Sequence, residues 1–394
     1  MKATPFIFLS TLWLAQVQAM PLPLQSLKSY DCESCADLAH ESLSASWAIS
    51  DQDLTHNTKH QQISRKYQIK VILNQLYNGV AINTLAPAAI IRISPVRPQT
   101  TTKPEFRIKN SHGLDLTLMD AASSFSKEEA LQTTPFAGQA LALLELKPEL
   151  GFGEFILTSK AMNQANKDEQ FIIHVFDKSS TTYLSVETDK ARYQYGDKLS
   201  AIITLRDNDM SYPIDRITAN LVNPEGELIP LNLEEVNNDH YQAQTTLLSE
   251  KNSLGENWYL EIETTTLLED QIITRQVHTA FSYVIPSAAI REVRQIMGKS
   301  FNFSAIVETA TDSRYALQAV LFGSDKQGKI HPIQTAQSAA WFRAGRHKLN
   351  FSFDPKQIND YKAPYYLGYL HLTDFGQLKP VYEYNQPITL TKLG

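Results

Sequence analysis

Between positions 198 and 207 the chain reads "KLSAIITLRD", and Leu199, Ala201, Ile203 and Leu205 alternate there with polar residues. A period of two puts every second side chain of an extended strand on one face, so this run can bury one side and wet the other. Turn formers bracket it: Tyr193-Gln194-Tyr195-Gly196-Asp197 before, Asp207-Asn208-Asp209 after. Short alternating runs punctuated in this way recur along most of the 394 residues and predict an all-β chain with little helix.

The runs fall into three groups. From Lys66, "KYQIKVILNQL" alternates until Asn78-Gly79, and "APAAIIRISP" follows. "PVRPQTTTKPEF" reads as a Pro/Thr-rich loop, and "GFGEFILTSK" and "QFIIHVFDK" as closing strands. Ser126-Lys127-Glu128-Glu129 has capping-box spacing and predicts one short helix. The middle group runs through "YLSVET", the 199–205 strand, "ITANLVNPEGELIPL", "YQAQTTLL", "WYLEIETT" and "TRQVHTAFSYVI". That is about seven short strands in about 100 residues, the pattern of an immunoglobulin-like sandwich. The third group contains "FNFSAIVET", "RYALQAVLFGSD", "HKLNFSFD", "YYLGYLHLTD" and "KPVYEYN", with Lys326-Gln327-Gly328-Lys329 as a hairpin turn. A weak internal repeat fits serial sandwiches: Gly151 leads into Phe155-Ile156-Leu157 and Gly255 into Trp258-Tyr259-Leu260. The expected division is a leader over 1–19, a β-rich domain over 20–181, an immunoglobulin-like sandwich over 182–286 and a third sandwich over 287–394.

The middle group resembles bacterial immunoglobulin-like and macroglobulin-like domains. The resemblance rests on Tyr193-x-Tyr195-Gly196-Asp197, "NPEGELIPL", Asn238-Asp239-His240-Tyr241 and "GENWYLEIET". The cysteines and strand-C tryptophan of antibody domains are absent from it. "APAAIIRISP", "GFGEFIL", "YALQAVLFG", "AQSAAWFRAG" and "APYYLGYLHLTD" make the whole chain similar to a family of exported bacterial proteins of unassigned activity, built from consecutive sandwich domains. That resemblance implies a fold and brings no catalytic residue with it.

The N-terminus has the layout of a secretory signal. Lys2 precedes the apolar run Pro5–Ala15, and Val17-Gln18-Ala19 offers small residues for cleavage before Met20. The expected destination is the periplasm or the medium. A net charge of -6 and the lack of a basic run argue against nucleic acid and anionic membrane as partners. Cys32 and Cys35 are the only cysteines, and in an exported chain they predict a local disulfide. A zinc set drawn from Cys32, Cys35, His40, His56 and His60 is the sharper alternative, although its spacing matches no standard finger. Asp207, Asp209 and Asp215 are weak calcium candidates, because EF-hand register would place Tyr212 and Thr218 where Gly and Glu belong. No Gly-x-Ser-x-Gly elbow, His-Glu-x-x-His motif or phosphate-cradling loop occurs, so the expectation is a non-enzyme without cofactor.

Binding is the expected role, through a protein or cell-envelope component, by a monomer without a membrane span. The candidate surface is the aromatic cluster of the third group, Trp341, Tyr365, Tyr366 and Tyr369, set against a reading in which these rings fill the core. An inhibitor or accessory of an exported enzyme, or a glycan binder, is the alternative. His174 and His278 read as ordinary residues of a sandwich face.

Overall fold

The computed structural model describes residues 20–50, 60–97, 104–127, 140–160, 166–208, 210–237, 239–251, 255–268, 270–358 and 361–392. The expected leader lies outside the described residues. Strands account for 62% of the described residues and helix for 7%, an all-β fold of several antiparallel sheets. Two compact units emerge. One joins the chain up to His56 with Leu248–Glu256 and Tyr283–Gly394; the other contains Asn57–Leu247 and Asn257–Ser282.

The second unit holds two sandwiches. In the first, a five-stranded sheet runs in the order Lys66–Ile72, Gln170–Phe176, Ile90–Pro95, Ala142–Leu146 and Ala122–Lys127. It packs on a four-stranded sheet of Val80–Thr84, Gly153–Ser159, Phe106–Asn110 and Asp115–Thr117. The inward halves of the alternating runs (Ile91, Ile93, Leu144, Phe155, Leu157, Phe171, Ile173, Val175) form its core. One local expectation fails. "KYQIKVILNQL" is a strand only to Ile72, and Leu73–Asn78 turns into a short helix that buries Leu73 and Leu76. Gly79 ends it at φ 100, where an added Cβ would stand 2.8 Å from the Ile156 side chain. Ser126 and Lys127 close a strand, because their backbone pairs with Leu143 and Ala142; the rest of the proposed helix lies outside the described residues.

In the immunoglobulin-like sandwich, Asn232–Asn237, His240–Thr246, Lys198–Asp207, Thr182–Thr188 and His60–Ser64 form one sheet, with Met210–Tyr212 beside Lys198–Asp207. The facing sheet is Arg192–Gln194, Gln271–Val284, Trp258–Leu268, Arg216–Val222 and Leu228–Pro230. Leu199, Ala201, Ile203 and Leu205 are buried as their alternation demands. The turn before them works through its side chains. Tyr193 enters the core edge-on to Phe281 and donates its hydroxyl to Asp189 at 2.7 Å, and Asp197 accepts from the Gln194 amide at 3.0 Å.

The first unit is the third sandwich with additions from far along the chain. Its six-stranded sheet runs Leu43–Ala48, Ile330–Phe342, Ser313–Ser324, Lys362–Asp374 and Lys379–Tyr384, with Ile388–Thr389 beside Lys362–Asp374. The other sheet is Met20–Pro21, Ala288–Gln295, Asn302–Thr309 and Gly345–Ser352. Residues 20–48 therefore do not belong to a contiguous 20–181 domain. Met20–Pro21 pairs with Val293 and Glu292, and Leu43–Ala48 pairs with Gln334–Ala339. This arm is fastened by Arg314, whose guanidinium donates to the carbonyls of Ala39 and Glu41, and by Arg291 donating to the Gln25 carbonyl at 3.1 Å.

Candidate functional site

Two sheet faces converge inside the second unit. In "QFIIHVFDK", Phe171, Ile173 and Val175 point to the core, so Ile172, His174 and Phe176 point outward. His174 lies opposite Gln68 on one neighbouring strand and Arg92 on the other, and Arg92 lies opposite Leu143. The adjacent row is Lys66, Phe176 and Ile90. The facing wall comes from the immunoglobulin-like sandwich, where Glu261 lies opposite His278 and Glu263 opposite Gln276. Tyr259 stacks on His278 with centroids 4.1 Å apart and planes within 8°. Between the walls lies a cleft of about 560 Å³ lined on both sides by polar and apolar groups, a volume in the range of small-ligand and peptide sites.

Hydrogen bonds pin the walls together. The Gln276 carboxamide accepts from the Gln68 backbone amide at 2.9 Å and donates to the Gln68 carbonyl at 3.0 Å, mimicking a rung of sheet. Its neighbour Arg275 points inward and is 1% exposed. Arg275 donates to Asp177 and to the Ser180 hydroxyl, both at 3.0 Å, and to the Thr182 carbonyl at 3.2 Å. Asp177, fully buried, also accepts from the backbone amides of Leu85 at 2.7 Å and Ala86 at 3.2 Å. Burial pushes the Asp177 carboxyl upward, and these donors oppose the rise. The linker between the two sandwiches is thus locked by a saturated ion pair.

Within the cleft, Arg92 donates from Nη2 to His174 Nε2 at 2.8 Å, which assigns a neutral ring protonated at Nδ1. Burial, reinforced by the positive charges of Arg92 and Lys66, pushes His174 down to about 4. Burial also lowers His278, opposed by Glu261. At neutral pH the cleft therefore presents the Arg92 guanidinium, the Lys66 ammonium, the Glu261 carboxylate, neutral imidazoles and carboxamides, groups suited to hydrogen-bonded recognition.

The residues singled out from the sequence sit elsewhere. Cys32 and Cys35 form a disulfide. Cys35 is buried in the first unit beside a polar knot around Asp374. This carboxylate accepts from the Tyr30 hydroxyl at 2.8 Å, the Ser287 and Ser313 hydroxyls at 2.6 Å and the Gly376 amide at 2.9 Å. Trp341 is half-buried by the chain's own arm, donating Nε1 to the Cys35 carbonyl at 2.9 Å and stacking on His40 at 4.4 Å. Tyr365 packs edge-on to Phe301 at the rim of the core. Tyr366 is half-buried opposite Phe322 and Thr389. Tyr369 lies tilted against Phe322 and His371. The aromatic cluster is accordingly split between the arm contact, the core rim and an outer face.

The metal candidates have structural duties. Asp215 accepts from the Leu267 amide at 2.8 Å and the Thr266 hydroxyl at 3.1 Å, Asp207 ends a strand beside Asn208, and Asp209 lies outside the described residues. Of the zinc set, His60 bonds the Thr279 hydroxyl, and His56 lies outside the described residues. Among the described residues, no three His, Cys, Asp or Glu side chains cluster as metal ligands would. No described helix is long and apolar enough to cross a membrane. The cleft itself was not legible: strand alternation reveals that His174 and His278 face outward, but not that two outward faces over 100 positions apart meet.

The comparisons with known proteins match the chain in three consecutive parts. Residues 34–177 match the N-terminal domain of a domain of unknown function, DUF4785; 180–284 match its central domain and 287–391 its C-terminal domain. A crystal structure of a DUF4785 family protein from Legionella pneumophila is 42% identical, covers 94% of this chain and 99% of its own, and has a TM-score of 0.81. The adhesin domain of Epf from Streptococcus pyogenes aligns at 16% identity over 58% of this chain and 80% of its own, with a TM-score of 0.17. An Escherichia coli alpha-2-macroglobulin aligns at 10% identity over 88% of this chain and 33% of its own, with a TM-score of 0.21. No curated protein matches. By its three matched domains and its Legionella relative, the chain belongs to the DUF4785 family.

Proposed function

We propose that this chain is an exported, non-catalytic binding or structural protein that contacts a protein or cell-envelope partner through the cleft of its second unit. The observation that carries the reading is the cleft's fixed geometry. Both walls are sheet faces, and the Gln276–Gln68 bonds and the buried Arg275–Asp177 pair hold them in register. A preorganised concave surface loses little conformational freedom when a partner docks. Export is supported by the apolar N-terminal run and by the Cys32–Cys35 disulfide, a bond that persists in oxidising compartments.

Site-specific photo-crosslinking in cells that export the chain tests this. A benzophenone side chain placed at Gln68 or His278 is expected to give one discrete adduct with the same partner. The same probe at the exposed Lys109, on the opposite sheet of the first sandwich, is expected to give none. Equal adducts from all three positions, or substrate turnover by the purified protein, would contradict the reading.

A further inference from the structure

We infer that the cleft contains a subsite for one oxyanion, a carboxylate or phosphate group, seated among Arg92, His174 and Lys66. The inference deepens the binding role proposed above and rests on it for what carries the anion. Three adjacent strands deliver these side chains to one outer face. Lys66 is opposite Phe176 and therefore diagonal to His174, a spacing that long side chains bridge. Arg92 is directly opposite His174 and already touches its ring through the 2.8 Å bond. The site is half-buried at Arg92 and His174 and opens at Lys66 into the cleft.

The electrostatics agree with this geometry. Two cations flank an imidazole that burial and those cations hold neutral down to about 4. An oxyanion among them would reverse that balance: the ring would gain a proton and become a donor, and the guanidinium would offer its fork. On the same wall Tyr67 is buried and donates its hydroxyl to the Asn83 carbonyl, and Glu145, opposite Ile90, is paired with Lys178 at 3.0 Å; the remaining charged or titratable groups are on the facing wall. Glu261 lies beside His278, and Glu263 accepts from the Gln276 carboxamide at 2.9 Å. Those carboxylates restrict the ligand to one anionic group with a neutral or cationic far end. Phe176 and Ile90 beside Lys66 add apolar contact for the part next to the anion.

The test is a histidine-ring NMR titration of the full chain at constant ionic strength, with and without inorganic phosphate, and separately with formate. Phosphate or formate is expected to raise the pKa of His174 by one unit or more, because an anion that prefers the protonated form tenfold shifts it by that amount. The larger shift of the two identifies phosphate or carboxylate as the chemistry. His278 serves as the spectator and stays within a few tenths. Arg92→Ala, with an unchanged melting temperature, is expected to abolish the shift; should it not fold, the exposed Lys66→Ala replaces it and is expected to reduce the shift at least twofold. No shift with either anion, an equal shift at His278, or a full shift in the folded variant would overturn the subsite. A discrete photo-crosslink without a shift removes the subsite and leaves the binding role. A shift without a crosslink does the reverse.

Discussion

At the residue scale the second unit depends on an arginine that binary patterning would not put in a core. Arg275 occupies an inward position of "TRQVHTAF", and its charge is tolerated because Asp177, Ser180 and Thr182 saturate it. Arg275→Ala strands a buried carboxylate, and we expect a loss of about 3–5 kcal/mol in urea unfolding of this unit. Asp177→Asn combined with Arg275→Met is expected to recover at least half, since the Asn oxygen still accepts from the Leu85 amide. His174 gives a pH signature with a definite sign. Its folded pKa of about 4 lies below the ordinary 6.5, so between these values the unfolded chain binds more protons. Its contribution to stability is therefore complete above 6.5 and declines as pH falls toward 4. The difference between wild type and His174→Gln isolates this term: their stability gap should change over that interval and be constant above it. None of this was readable beforehand, because a sequence shows which face a histidine takes and not which cations stand beside it.

At the element scale the strands were legible and their ends were not. Alternation identified most strands of all three sandwiches, because a half-buried strand has no other way to hide its apolar side. It failed where the backbone leaves the regular pleat. In "PYYLGYLHL" strict alternation separates Leu367 from Leu370, yet both enter the core. Tyr369 adopts a φ of 49 and the register slips between Gln318 and Val320, so one extra residue is spent on the strand's outer side. The arm was missed for another reason: in "LSASWA" Leu43, Ala45 and Trp47 alternate with serines, yet Leu43 and Trp47 stay exposed, and the strand is recruited by backbone pairing with Gln334–Ala339. Its anchors make two predictions. Cys32→Ser with Cys35→Ser opens a four-residue loop, for which chain entropy gives about 2 kcal/mol, and faster amide exchange is expected over residues 28–48 alone. Gly376→Ala would drive a methyl group into the Tyr30 hydroxyl and Cys35 Sγ, and a loss of about 1–3 kcal/mol in the melting of the first unit is expected.

At the scale of the whole molecule, chain order and spatial order differ. Three sandwiches were legible from three groups of runs, but residues 20–48 complete the last of them and His60–Ser64 joins the middle one. No local pattern announces such returns, because pairing partners more than 100 positions apart leave no periodic trace. The proposed binding surface shares that invisibility. It consists of ordinary outward positions of two sandwiches, made into a site by the way Gln276 and Arg275 clamp the strands beside them. The aromatic surface expected from the sequence is partly consumed by the arm, with Trp341 held by Cys35 and His40. The central claim, that partners meet the cleft of the second unit, is tested most directly by hydrogen–deuterium exchange of the full chain with and without its crosslink-identified partner. The account predicts slowed exchange confined to Lys66–Ile72, Ile90–Pro95, Gln170–Phe176 and Gln271–Val284. Protection centred instead on Lys362–Asp374, the strand of Tyr365, Tyr366 and Tyr369, with the cleft strands unchanged, would contradict it.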